Sequence, residues 1–151
     1  MAYHYTESGL DNVYLVNGYT VHETKYGKGI SIHDTEGLHN AIGELLVNAP
    51  KPLSGAELRF LRLELELTQR NLAAMLGSEE QTVRRWEKAR TKAIPGPADR
   101  LLRVLYTEYR QGDGSVRRMI DRLADLDKVE HAEFRLHDTG HGWEPSDRVA
   151  A

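Results

Sequence analysis

Residues 68–88 read Thr68-Gln69-Arg70-Asn71-Leu72-Ala73-Ala74-Met75-Leu76-Gly77-Ser78-Glu79-Glu80-Gln81-Thr82-Val83-Arg84-Arg85-Trp86-Glu87-Lys88. A hydroxyl at Thr68 can accept a backbone N–H of the turn that follows it, so it is placed to open a helix. Leu72, Ala73 and Leu76 then fall on one side of that helix, and Gly77 supplies the left-handed residue that ends it. Ser78 is the next capping residue. It starts a helix to Lys88 that turns Val83 and the large apolar Trp86 inward. Two short helices joined by a tight glycine turn form a geometry that can present the second helix to a duplex groove.

Outward from this pair, the chain continues in helical register. Ser54-Gly55-Ala56-Glu57 is a capping box with Leu53 and Leu58 in staple positions, so a helix is expected from Gly55 to about Glu66. Pro97 opens another through about Arg110, carrying Leu101, Leu102, Leu105 and Tyr109. Ser115 opens a fifth, on which Val116, Met119, Ile120, Leu123 and Leu126 make one stripe. That stripe fits a dimer seam or an intramolecular core equally well. Residues 51–127 therefore read as an all-α unit of five helices.

The amino-terminal third has a different period. Aromatic and β-branched residues alternate in short runs, and Asn17-Gly18 suits a two-residue turn with positive φ at both positions. A hairpin over residues 12–24 is expected, then a strand over 29–33. A helix capped by Thr35 follows, with Leu38, Ile42, Leu45 and Leu46 on one face. Lys51-Pro52 marks a domain boundary after this small module of residues 1–50. Residues 128–151 are polar apart from Phe134, Leu136 and Trp143, and read as a tail or a short hairpin. The fold class is α+β.

Composition narrows the chemistry. The 151 residues include no cysteine, which excludes disulfides and thiolate metal sites and favours a cytoplasmic protein. No run approaches the roughly 18 apolar residues of a membrane span. The net charge of −3 conceals a basic middle. Between Arg84 and Arg103 stand Arg84, Arg85, Lys88, Arg90, Lys92, Arg100 and Arg103 against only Glu87 and Asp99, a footprint suited to phosphates. Residues 1–50 lean the other way, with Lys25 and Lys28 against six carboxylates. The seven histidines offer no i, i+4 ligand pair on an expected helix, so neither metal nor cofactor is expected. No nucleophile motif, phosphate loop or carboxylate pair points to catalysis, and an enzyme is not expected.

Residues 67–88 closely resemble the lambda-repressor-like (XRE) helix-turn-helix family, through the Thr68-Gln69 start, Ala73 and Gly77 at the turn, inward Val83 and the Trp86-Glu87 pair. The likeness extends over about residues 54–109. Trp86-Glu87-Lys88 and Leu101-Leu102-Arg103-Val104-Leu105 are most similar to the DNA-binding domain of MqsA-type antitoxins, with HigA-type antitoxins next. The resemblance implies base reading by Gln81 and Arg85, flanked by Thr82 and Arg84. Four residues apart, Gln81 and Arg85 share a helix face, and Gln and Arg can pair bidentately with adenine and guanine. It implies phosphate contacts from Thr68, Gln69, Arg70, Ser78, Lys88 and Lys92, and a buried ion pair between Arg62 and Glu87. Gln81 could instead close a capping box on Ser78. Trp86 reads as core.

Two departures qualify the likeness. The MqsA-type amino-terminal domain binds zinc through cysteines that this chain lacks, and Ala89 stands where the family has a glycine after the third helix. The implied function is a transcriptional regulator that binds double-stranded DNA as a homodimer on a palindromic operator, autorepressing a toxin–antitoxin operon, with a cognate toxin as possible partner. A stand-alone or phage-type repressor, and a module whose main task is toxin binding through residues 1–50, are the alternatives.

Overall fold

The computed structural model describes residues 2–123 and 133–146. Across them the chain is mixed α+β, with six helices and three two-stranded antiparallel sheets. β1 (Tyr3–His4) pairs with β2 (Tyr14–Leu15), and β3 (Tyr19–Thr24) with β4 (Gly27–Ile32). Helices α1 (Thr35–Asn48), α2 (Gly55–Glu64), α3 (Gln69–Leu76), α4 (Glu80–Lys88), α5 (Gly96–Gln111) and α6 (Ser115–Leu123) follow, then β5 (Leu136–Asp138) and β6 (Trp143–Pro145).

The hairpin forms later in the chain than expected. Gly18 takes φ +80° but Asn17 stays at negative φ, so the two-residue turn with both φ positive is absent, and the dipeptide links strands of different sheets. The turn is Lys25-Tyr26, with Gly27 at φ +120° and the Thr24 hydroxyl bridging Tyr26 N and Gly27 O. A ladder that sets Tyr19 opposite Ile32 and Val21 opposite Ile30 overrides the local turn preference. The strand expected over 29–33 is the second half of β4.

Asp34, not Thr35, caps α1. It sits at φ +48° and accepts from Gly37 N at 3.1 Å, which leaves Thr35 as the first helical residue. The α2 capping box forms as the sequence predicts, Glu57 N donating to Ser54 Oγ and Ser54 N to Glu57 Oε1. Thr68 caps α3, and Gly77 ends it at φ +69° while Ser78 N reaches back to Ala73 O at 2.8 Å. The Ser78 N–H is therefore spent on the turn. α4 starts after Glu79, whose side chain makes no cap bond, so the capping-box role for Gln81 is absent.

One apolar cluster runs through the molecule, from Leu10 and Ile42 to Leu53, Leu58, Leu61, Leu72, Val83, Leu102 and Leu105. Residues on both sides of Lys51 contribute to it. Gly43 lets α1 lie on α5, because a Cβ there would stand 2.0 Å from the Tyr106 hydroxyl oxygen. Arg103 then donates to the carbonyls of Val47 and Ala49 at the end of α1, at 2.9 and 3.0 Å, and pairs with Asp99. On α6, Ile120 joins the cluster and Met119 is half exposed, which gives part of the stripe to the core. Leu126 and the expected boundary at 127/128 lie outside the described residues. Within the segment expected as a tail or a short hairpin, β5 and β6 pair antiparallel over residues 136–145. Among the described residues no helix is long and apolar enough to cross a membrane.

Candidate functional site

The site is built on how α4 is held. Gly55 at the start of α2 lies against the end of α4, where a Cβ would meet Trp86 O at 2.0 Å and Ala89 O at 2.7 Å, so only glycine allows this approach. Three backbone bonds lock the exit from α4 to the α2 start: Ala56 N to Arg90 O at 3.1 Å, Gly55 N to Lys92 O at 3.1 Å, and Ile94 N to Leu53 O at 2.9 Å. Those bonds hold an exit that contains no glycine. Ala89 takes φ −83° without a left-handed residue.

Beneath α4 lies a buried polar network. Arg62 grips the Glu87 carboxylate with two bonds, Nε to Oε2 at 2.7 Å and Nη2 to Oε1 at 2.9 Å, and its third donates to Leu67 O at 2.9 Å. Both residues are buried. Gln69 Nε2 donates to Glu87 Oε1 at 3.2 Å, and Arg84 Nε donates to Gln69 Oε1 at 3.4 Å. Arg59, which the sequence did not single out, stands 3.9 Å from the same carboxylate. The network ties α2, the α3 start and α4 together, so Gln69 is occupied inside the protein and braces the helix pair.

The outward side of α4 is different. Gln81, Arg85 and Lys88 are exposed, Thr82 is half buried beside them, and none of their side chains has a partner among the described residues. Arg84 is exposed but ion-paired with Glu80 at 3.1 Å. Among the described residues Arg70 and Lys92 are exposed and unpaired, and Ser78 is half buried with an unengaged hydroxyl. The Thr68 hydroxyl is committed to Asn71 N at 3.0 Å. Trp86 is partly buried against the core.

Pairing thins the cationic cluster read from sequence. Arg90 reaches Gly9 O at 2.7 Å and Asp11 at 3.3 Å, and Arg103 is consumed by Asp99 and the α1 carbonyls. Arg85, Lys88 and Lys92 remain without a carboxylate partner among the described residues. The Arg90–Asp11 contact spans 79 positions, so no local signal could announce it. Burial pushes the Asp99 carboxyl up, but the Arg103 guanidinium and the Leu53 N–H outweigh it and hold it below its ordinary value.

A second polar cluster went unread in the sequence. The Tyr5 hydroxyl meets His39 Nε2 at 2.8 Å and His39 Nδ1 meets Glu64 at 2.5 Å, with the Phe60 ring alongside. Burial, then the charges of Glu7 and Glu64, raise the Tyr5 pKa. Tyr5 is closed to solvent, and this chain of bonds pins the β1 end of the molecule to α2. No group of three metal-ligating side chains converges among the described residues.

No protein-family model, curated protein or solved structure matches the chain.

Proposed function

We propose that this protein is a sequence-specific DNA-binding regulator that inserts α4 into the major groove. The observation that carries the proposal is the contrast between the two sides of that helix. Val83 and Glu87 are buried and satisfied, while Gln81 and Arg85, one turn apart, face solvent with every side-chain hydrogen-bonding group unspent among the described residues. A fixed helix offering an amide and a guanidinium matches the bidentate patterns of adenine and guanine edges. Arg70, Lys88 and Lys92 supply phosphate contacts that set register, Ser78 adds a hydroxyl at the turn, and Gln69 acts indirectly by bracing Arg84 and Glu87. Thr82 and Arg84 border the reading face.

The regulator works as a homodimer on a palindrome whose half-sites lie about 34–36 Å apart. The fuller form of the proposal is autorepression within a toxin–antitoxin operon. Support for a protein partner comes from the β3–β4 hairpin, which leaves Val21 and Tyr26 exposed.

Arg85→Ala tests the reading role. Binding to the cognate operator should weaken by about 1–3 kcal/mol with relaxed preference at one base position, measured by fluorescence anisotropy. An equal loss on cognate and random duplexes would remove Arg85 from the readers.

A further inference from the structure

Asn17-Gly18 links β2 to β3 with little to hold it. Both residues are exposed, and neither the Asn17 side-chain amide nor the Gly18 N–H has a hydrogen-bond partner among the described residues. The Gly18 carbonyl accepts from His33 N at 2.9 Å. A Cβ on Gly18 would meet no atom within 4 Å, so the surroundings are open to water. With no side chain on residue 18, the path from its nitrogen to the Asn17 amide carbon is unshielded.

The other asparagines are protected. Leu72 N, which follows Asn71, donates to Thr68 O at 3.0 Å, and Ala41, which follows Asn40, lies inside α1. Asn48 commits its amide to Glu44 O at 2.9 Å. Asn12 precedes Val13, whose branched side chain crowds the nitrogen. Asp113-Gly114 has the same glycine step, but Asp113 Oδ1 accepts from Ser115 N at 2.9 Å. Bonding to Ser115 holds that carboxyl below its ordinary value, and an ionised carboxylate is a poor electrophile.

We propose that Asn17-Gly18 is a self-modifying site, at which the folded protein converts residue 17 to a mixture of aspartate and isoaspartate. Gly18 N bonds to Asn17 Cγ, the Cγ–Nδ2 bond breaks, and Nδ2 leaves as ammonia with the Gly18 N–H proton. Water then adds across one C–N bond of the cyclic imide, its hydroxyl going to the carbonyl carbon and its proton to nitrogen. Opening on the Cγ side gives aspartate. Opening on the main-chain side gives isoaspartate, with an extra methylene in the backbone just ahead of β3. Either product puts a seventh carboxylate on residues 1–50. The charge accrues with the age of each copy, and it falls on the amino-terminal module rather than on α4.

The folded protein is aged at mildly alkaline pH and its tryptic peptides are followed by mass spectrometry. The peptide of residues 1–25, released by cleavage after Lys25, should gain a single mass unit that fragmentation places at residue 17. The gain should build at least about tenfold faster there than at any other asparagine, a barrier difference of roughly 1.4 kcal/mol. Its rate should lie within about threefold of that in a free peptide of residues 12–24, because no local opening has to precede the attack. Hydroxylamine present during ageing should capture the imide and cut the chain between Asn17 and Gly18. Asn17→Gln, whose longer side chain closes the larger ring reluctantly, should lose both signals. An equal gain at Asn12, a folded rate far below that of the free peptide, no hydroxylamine cut, or signals that persist in Asn17→Gln would each overturn the site.

Discussion

The α2–α4 joint and the β3–β4 hairpin keep their shapes by opposite means. At the joint, a glycine lets two backbones nearly touch, and a buried guanidinium and carboxylate satisfy each other and the backbone around them. In the hairpin, order comes from a six-pair ladder and short polar bridges such as His22 to Ser31 at 2.9 Å, with most side chains in water. The joint depends on residues far apart in the chain and tolerates little change. The hairpin is locally specified, and its surface is free to vary with whatever it meets. A reading helix needs the first kind of support, since a displacement of its axis would misplace Gln81 and Arg85 together.

Substitutions separate the two regimes. Glu87→Ala strands Arg62 in a buried site and should lower unfolding free energy by about 3–5 kcal/mol in urea titrations. A loss comparable to that of an ordinary surface change would mean the joint is not held by this pair. Acid gives a smaller effect through Asp99. Its folded pKa lies below the ordinary 3.8, so the stability it contributes is present above that value and lost as pH falls through the folded pKa. The stability gap between the wild type and Asp99→Asn should therefore narrow below about pH 4. A gap independent of pH would remove the Arg103 contact as its source. At the hairpin tip, Tyr26→Ala should change stability by less than about 0.5 kcal/mol. A larger loss would show that Tyr26, 98% exposed, is supported by contacts outside its own turn.

What was legible follows the same division. Ser54 with Glu57, Thr68 and Gly77 announce helix ends through bonds made within a few residues, and such signals survive folding because no distant contact competes for the same groups. Elsewhere neighbouring bonds override a residue's own preference. Asn17-Gly18 gave way to the β3–β4 ladder, and α4 starts after Glu79 while the Ser78 N–H closes the preceding turn on Ala73 O. Glu66, just past α2, takes φ +57°, a conformation glycine favours, and Leu67 N reaches back to Arg62 O at 3.1 Å. The exposed face of α4 could be read from spacing alone. Which arginines would be spent on Asp11 or Asp99 could not, since those partners are set by how the chain returns on itself.

Competition binding tests the central claim most directly. The wild-type protein, bound to a labelled fragment from upstream of its own gene at about 0.15 M salt, is challenged with unlabelled duplexes. If α4 reads bases, the same fragment should displace the label at least a thousandfold better than a scrambled duplex of equal length and composition. Equal displacement by both would contradict the account.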